Sequence, residues 1–214
     1  MSKSKTVLFI HIKKLKIQIM KFYLTIACFI FILITATNAQ HVNIGIKGGL
    51  NLYSINSNNN SESKLKAGFN VGLLGHIHIK SHFAIQPELV FSTQGYRYNL
   101  SSGGIESLNL NYINVPVLFQ YMFNNGLRLQ AGPQLGILVW AHSKNNNNSI
   151  DTKDNFNTLD LSLAAGVSYV HPPSGFGVDA RYNFGVSNIN KYGTVKSNNS
   201  GLQLGIFYLL KHRN

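Results

Sequence analysis

The chain has 214 residues, enough for one domain of ordinary size, and a formal net charge of +12 at pH 7. The charge is uneven, because residues 1–21 contain six lysines and no acidic residue. The remaining sequence has 13 basic and 7 acidic residues, with no basic run or basic helix. This distribution argues against a nucleic-acid-binding protein.

The lysine-rich start is followed by an apolar stretch at 22–34 and then by the segment TATNAQ. A positive start, a short apolar stretch and small residues before a cleavage point after Ala39 are typical of a secretory signal peptide. The apolar stretch is shorter than the roughly 20 residues of a membrane-spanning helix. We therefore predict a signal peptide at 1–39 and a mature domain at 40–214, with an uncleaved anchor as the alternative.

Two details of this segment bear on processing. Met20 is followed by Lys21 and would itself begin a signal peptide of ordinary length, so translation from Met1 or from Met20 is left open. The only cysteine, Cys28, lies inside the apolar stretch, whereas lipidation would need it at the end. The mature protein is therefore expected to lack disulfides, thiolate metal sites and cysteine nucleophiles.

Eight stretches of the mature sequence alternate between apolar and other residues with a period of two, which predicts β-strands. Each is long enough for a tilted strand to cross a membrane. In the fifth, the outward positions run from Leu127 to Ala141. The predicted strands lie at about 44–52, 67–79, 83–91, 113–123, 127–141, 159–169, 176–184 and 202–210.

One face of every predicted strand lacks charge. The charged residues inside the strands all lie on the other face: Lys47, Glu88, Arg128, Asp160, Asp179 and Arg181. A sheet face without any charge is expected where that face contacts lipid. We predict an all-β fold, an eight-stranded antiparallel up-and-down transmembrane β-barrel. A secreted barrel of the lipocalin kind is the alternative, but eight strands enclose too little space for so many bulky apolar groups.

The connections between the strands alternate in length. The short ones are 80–82, 124–126 and 171–175. The long, polar ones are about 53–66, 94–112, 142–158 and 185–201. Short turns in the periplasm and long loops outside are the pattern of outer-membrane barrels. We therefore predict the cell outer membrane as the location, with extracellular loops and periplasmic termini.

Outward-facing aromatic residues cluster at both ends of the predicted strands. Those near the turns are Phe83, Tyr121, Phe123, Tyr169, Phe176 and Tyr208. Those near the loops are Phe69, Phe91, Tyr182 and Phe184. Two aromatic girdles are expected where a barrel meets the two headgroup layers, and a general preference of aromatic residues for strands does not explain the clustering.

Five segments in a fixed order carry a family resemblance: GIKGGLN at 45–51, IQPELVFSTQG at 85–95, YINVPVLFQYMF at 112–123, LQAGPQLGIL at 129–138 and VDARYNFGVSNI at 178–189. The sequence resembles the outer-membrane β-barrels of Bacteroidetes-type bacteria that are often labelled PorT-like. The resemblance covers nearly all of the mature chain and implies an eight-stranded outer-membrane barrel. It also makes a component of a secretion or gliding assembly an alternative function.

The charged residues of the predicted lumen balance, with three basic and three acidic side chains. An eight-stranded barrel is just wide enough to be filled by side chains, and charges removed from water there must be paired. A gated pore or a proton path is the alternative interpretation of these residues. We predict a structural ion-pair network of Lys47, Glu88, Arg128, Asp160, Asp179 and Arg181.

Two further sets of residues are weak candidates for a metal site and for a catalytic site. His76 and His78 share a strand face, but neither a cysteine nor a carboxylate is near them in sequence, so metal binding is not predicted. His142-Ser143 and Asp151 resemble a catalytic triad, but an Asn-rich loop would not support them rigidly. We predict no catalytic residue, cofactor or metal, and retain an enzyme site at the rim as an alternative.

The loops are the remaining candidate for function. Aromatic residues among Asn, Ser and Gly suit contact with proteins or glycans, although they are also typical of girdles and rims. The candidate contact residues are Tyr53, Tyr96, Tyr98, Trp140 and Tyr192. The loops also carry seven basic and four acidic residues, an excess that suits lipopolysaccharide phosphates. We predict a non-catalytic outer-membrane protein that displays four loops for envelope integrity or surface contact, with lipid and envelope proteins as partners.

Overall fold

The structure is a computed structural model that describes residues 42–57, 64–99, 105–145 and 148–210. The predicted signal peptide lies outside these ranges. Within them, no helix is long and apolar enough to span a membrane. The strands are β1 (Val42–Ser57), β2 (Lys66–Lys80), β3 (Phe83–Asn99), β4 (Ile105–Met122), β5 (Leu127–Asn145), β6 (Asn148–Asp151), β7 (Leu159–Val170), β8 (Phe176–Gly185) and β9 (Ser197–Leu209).

Eight long strands form a closed antiparallel barrel. Each pairs with its neighbour in sequence, except that β5 pairs with β7 and the short β6 continues one edge of β5. The ring closes where β1 pairs with β9, from Gly45 opposite Leu209 to Ser57 opposite Ser197. The prediction of an eight-stranded antiparallel barrel is therefore confirmed, because every long strand has two neighbours.

The two ends of the barrel differ in their connections. At the turn end, short turns join β2 to β3, β4 to β5 and β7 to β8, and both β1 and β9 have their outer termini there. Gly126 in the second turn has φ +90°, and a Cβ at this position would lie 2.3 Å from the carbonyl oxygen of Val170. A glycine is therefore required in this turn. The opposite end carries the longer connections and is called the loop end.

The alternation of side chains separates an apolar outside from a charged inside. Outward residues such as Ile44, Leu163 and Ile206 are 58%, 54% and 64% exposed. All six charged residues predicted for the lumen are buried, and Arg181 is only 2% exposed. The predicted assignment of faces is confirmed, and the lipocalin-like alternative is wrong because the charged face lines the interior.

A β-bulge changes the predicted facing near the loop end of β5. Asn111 of β4 lies opposite Trp140, whereas the next residue, Tyr112, lies opposite Leu138. The extra residue, Val139, reverses the alternation, since a bulge places two residues opposite one. Ala141, predicted to face outward, is therefore fully buried, and Trp140 is 53% exposed.

The long connections contain more strand than their sequence suggests. β3 and β4 stay paired until Asn99 lies opposite Ile105. β5 continues to Asn145, returns as β6, and is followed by a 3-10 turn at Lys153–Asn155. The predicted loops 94–112 and 142–158 are thus largely hairpins. The search for an apolar outer face does not reveal these extensions, because their outer face is no longer uniformly apolar.

Candidate functional site

Four charged side chains form the centre of the lumen, here called the ion-pair layer: Lys47, Glu88, Asp179 and Arg181. The Lys47 Nζ lies 3.2 Å from Glu88 Oε2 and 3.5 Å from Asp179 Oδ1. The Arg181 Nη2 lies 2.9 Å from Glu88 Oε1, and its Nε lies 3.0 Å from Asp179 Oδ2. Each charge therefore contacts both opposite charges, and the layer is electrically neutral.

Glutamine side chains extend the ion-pair layer toward the next strands. The Gln86 amide donates to Glu88 Oε1 at 2.7 Å. The Gln120 amide in turn donates to the oxygens of Gln86 at 3.0 Å and of Gln130 at 2.9 Å. Gln86 thus supplies Glu88 with a further donor, and the chain of amides continues from β3 to β4 and β5.

The other two predicted members of the network lie apart from it. Within the described residues, neither Arg128 nor Asp160 has an opposite charge within 4.0 Å. Asp160 accepts a hydrogen bond from the Ser187 hydroxyl at 2.7 Å. Arg128 contacts the Nδ1 of His76 at 3.4 Å. A single six-residue network is thus not formed, because the register of the strands brings only four of the six together.

Neutral polar side chains occupy the lumen between the ion-pair layer and the loop end. The Asn51 amide donates to the Ser92 hydroxyl at 2.9 Å, and the Asn70 amide donates to Asn51 Oδ1 at 2.8 Å. The Tyr53 hydroxyl accepts a hydrogen bond of 2.7 Å from the Asn183 amide. Tyr53 is 1% exposed, so its predicted role as a loop contact residue is wrong, since its ring lies inside the barrel.

An apolar cluster fills the lumen at the loop end, here called the loop-end cluster: Ile55, Leu108, Leu110, Tyr112, Leu138, Ala141 and Ile189. All of these residues are at most 5% exposed. Leu108, Leu110 and Tyr112 lie in a segment predicted as loop, yet they continue the inward alternation of β4 with Asn109 and Asn111 between them. That alternation was the available sequence signal for this cluster.

The remaining candidate contact residues have different surroundings. Tyr96 packs against the loop-end cluster, and the side chain of Tyr98 lies outside the described residues. Trp140 packs edge-to-face on Phe91, with ring centroids 6.3 Å apart, and so belongs to the loop-end girdle. Tyr192 is 66% exposed, with the Nζ of Lys191 5.3 Å from its ring centroid. Of the candidate contact residues whose side chains the structure describes, Trp140 and Tyr192 present large exposed aromatic surfaces.

The aromatic residues predicted for the two girdles pack on one another around the outside. At the turn end, ring centroids of Tyr121 lie 5.3 Å from Phe83 and 5.0 Å from Phe123. At the loop end, the centroids of Tyr182 and Phe184 are 4.5 Å apart. The girdles bound an apolar band on the outer surface, as expected where a barrel meets two headgroup layers.

The residues considered for a rim triad do not share a face. His142 of β5 lies opposite Asp151 of β6. Ser143 lies opposite Ile150, and successive residues of a strand point to opposite faces. Asp151 Oδ1 accepts a hydrogen bond from the Lys153 backbone N–H at 2.9 Å. A serine-histidine-aspartate arrangement is therefore not formed by these residues.

The histidines of β2 line the lumen near the turn end. The rings of His76 and His78 meet edge-to-face with centroids 4.5 Å apart. His82 instead stacks on Tyr121 outside, at 6.0 Å. In the part of the chain that the structure describes, no group of three or more His, Cys, Asp or Glu side chains is placed to hold a metal ion.

The turn end contains a cavity of about 440 Å³, here called the turn-end mouth. Its walls include Met122, Val170 and Leu209, together with His78 and Arg128. Val170 and Leu209 also belong to an apolar cluster with Leu74 and Phe207 that lies behind the mouth. The mouth thus combines apolar residues on part of its wall, polar residues such as Asn43 and Ser81 on the rest, and one permanently charged side chain, Arg128.

Comparison with known structures places this barrel among small outer-membrane barrels. Neisserial surface protein A is 16% identical, with a TM-score of 0.57 over 79% of this chain and 99% of that protein. Ail of Yersinia pestis, solved with the heparin analogue sucrose octasulfate, is 17% identical, with a TM-score of 0.45 over 78% and 99%. OprG of Pseudomonas aeruginosa is 10% identical, with a TM-score of 0.45 over 81% and 98%. At 16% identity, the likeness to neisserial surface protein A concerns the fold alone.

A search of curated proteins finds no match for this sequence. The family model described as "Outer membrane protein beta-barrel domain" matches residues 38–191, which is more than half of the chain. The match includes the strands that supply Lys47, Glu88, Asp179 and Arg181. The chain therefore belongs to the outer membrane protein beta-barrel domain family.

Proposed function

We propose that this outer-membrane barrel is a closed, non-catalytic anchor that presents its loop end for surface contact. The observation that carries the proposal is the filling of the lumen. The loop-end cluster and the ion-pair layer lie one behind the other along the barrel axis, and Arg181 and Tyr112 in them are 2% and 0% exposed. An eight-stranded barrel filled in this way leaves no room for a wide aqueous channel.

The loop end offers the contact surface that this function needs. Apolar side chains there are exposed beyond the girdle: Leu65 at 63%, Ile150 at 63%, Val186 at 61% and Tyr192 at 66%. Contiguous exposed apolar patches mark surfaces that bind a partner, and these side chains are the candidates for such a patch at the loop end. The basic excess of the loops suits phosphates of outer-leaflet lipopolysaccharide as a second kind of partner. Partners are accordingly envelope lipid and extracellular proteins or glycans.

This function requires a defined orientation, with the loop end outside the cell and the termini in the periplasm after removal of residues 1–39. Single cysteines at Lys153 and at Asn124 test it, because both positions are exposed and lie at opposite ends. A maleimide polymer too large to cross the outer membrane should label Lys153→Cys in intact cells and Asn124→Cys only after permeabilisation. The reverse pattern would refute the orientation. The unaltered chain serves as the background control, since its only cysteine is Cys28.

The filled lumen is tested separately by conductance. The purified protein in a planar lipid bilayer should show no steady ion current, because the ion-pair layer and the loop-end cluster block the axis. The variant Leu110→Gly removes one of the buried apolar side chains of the cluster. It is the comparison in which an ion current through the lumen would be easiest to detect. A stable current through the unaltered protein would contradict the closed-anchor function.

A component of a secretion or gliding assembly is the second candidate function. It is supported by the resemblance to PorT-like barrels together with the exposed apolar residues of the loop end. Crosslinking in cells should then capture the same envelope proteins with the unaltered chain, and fewer with Ile150→Lys. Gene deletion should reduce secretion. Normal secretion after deletion would leave the simple surface anchor.

A further inference from the structure

We propose that the turn-end mouth binds a small aliphatic carboxylate, with Arg128 holding the carboxylate and the apolar walls holding the hydrocarbon chain. Arg128 is 8% exposed and lines the cavity. It is the one group there that carries a permanent charge. This ligand site goes beyond the proposed anchoring function and does not depend on it.

Among the described residues, Arg128 has no carboxylate within ion-pair distance, the partner that a buried guanidinium normally has. The carboxylates of the lumen are engaged elsewhere, Glu88 and Asp179 with Lys47 and Arg181, and Asp160 with Ser187. Withdrawing a charge from water without an opposite charge costs free energy. A costly group that faces a cavity is typical of a binding site.

The contact between Arg128 and His76 leaves the site with a single positive charge. The guanidinium has only donors, so His76 Nδ1, at 3.4 Å from Nη1, must accept, and this requires the neutral imidazole with its proton on Nε2. His76 is fully buried, and its Nε2 has no hydrogen-bond partner in the described structure. The imidazole therefore orients the guanidinium without adding to its charge.

The lining of the mouth decides which anion fits. Met122, Val170 and Leu209 present hydrocarbon to the same space as Arg128, and a cavity of about 440 Å³ holds a chain of several carbons. One cation suits one negative charge, and a planar guanidinium matches a carboxylate with two parallel hydrogen bonds. A multiply charged phosphate would leave charge unpaired and apolar walls in contact with water.

The test measures binding of hexanoate by titration calorimetry to the full chain extracted in dodecyl maltoside, with protein-free micelles as the blank. Hexanoate should bind saturably at neutral pH. Hexanol, with the same chain and no charge, and inorganic phosphate should each bind at least tenfold more weakly. Equal binding of hexanol or phosphate, or no saturable binding of hexanoate, would overturn the proposal.

Variants assign the site to Arg128. Arg128→Gln should weaken hexanoate binding about tenfold or more, because a charge-assisted hydrogen bond is lost. Lys80→Gln is the matched control, since Lys80 is exposed at the same end and does not line the cavity, and its effect should stay within twofold. Arg128→Lys, which keeps the charge but loses the planar fork, should give an intermediate affinity. Unchanged affinity in both Arg128 variants would place the ligand elsewhere.

Discussion

Two arginines in the same lumen have opposite surroundings. Arg181 lies 2.9 Å from Glu88 and 3.0 Å from Asp179, and all three belong to a neutral layer at the centre of the barrel. Arg128 lies at the turn-end mouth, with an imidazole nitrogen at 3.4 Å and no carboxylate within ion-pair distance among the described residues. A charged side chain that faces the lumen therefore does not always have an ion-pair partner. Arg181 has two carboxylate partners, whereas Arg128 is buried without one among the described residues, which costs free energy.

The largest expected effect belongs to the paired arginine. Arg181→Met should lower the free energy of unfolding by about 3–5 kcal/mol, because it leaves two buried carboxylates with only Lys47 to neutralise them. Urea titration in lipid vesicles measures this, and the fluorescence of Trp140, the only tryptophan, reports the loss of its apolar surroundings. A decrease below about 1 kcal/mol would show that water, rather than Arg181, solvates the carboxylates.

The same layer provides its own control. Adding Asp179→Asn to Arg181→Met removes one of the two stranded carboxylates and leaves Lys47 facing Glu88 at 3.2 Å. The double variant should therefore be more stable than Arg181→Met alone, since one positive charge again faces one negative charge. Additive destabilisation in the double variant would mean that the two residues act independently.

The sequence predicts the facing of these arginines but not their partners. The face to which a side chain points follows from the two-residue period of a strand. This period is local and does not depend on the register between strands. Pairing joins residues that are distant in sequence, 41 positions apart for Lys47 and Glu88 and 132 for Lys47 and Asp179, so it depends on the stagger of the closed ring. For this reason all six lumen charges were placed inside, whereas the predicted six-membered network was not formed.

The alternation of apolar residues also does not predict two local features, the bulge in β5 and the inward position of Tyr53. A single extra residue at Val139 exchanged the facing of Trp140 and Ala141, and no turn residue marks the bulge in sequence. The polar residues around Tyr53 predict a loop, although the alternation of β1 continues past it to Ile55. Polar residues end the apolar signal without ending the strand, since backbone pairing does not require apolar side chains.

A charge on the outer face should be tolerated less well than an unpaired charge at the mouth. Leu163→Arg, near the middle of β7, should cost about 2–4 kcal/mol in lipid vesicles, because the guanidinium would face hydrocarbon. Leu163→Ala is the control for lost apolar surface and should cost less. The same urea titration applies. If both variants unfold at the urea concentration of the unaltered protein, the outer face of β7 does not contact hydrocarbon.

The smallest expected effect on stability belongs to the unpaired arginine. Arg128→Gln should change the free energy of unfolding by less than about 1 kcal/mol, because the lost contact with His76 is offset by relief of an uncompensated charge. Urea titration without added carboxylate measures this, and a loss as large as that of Arg181→Met would reveal a hidden acidic partner. Adding hexanoate should then stabilise the unaltered protein more than Arg128→Gln, since a ligand stabilises only the state that binds it. A residue that contributes to ligand binding but not to folding would separate the mouth from the ion-pair layer in function as well as in structure.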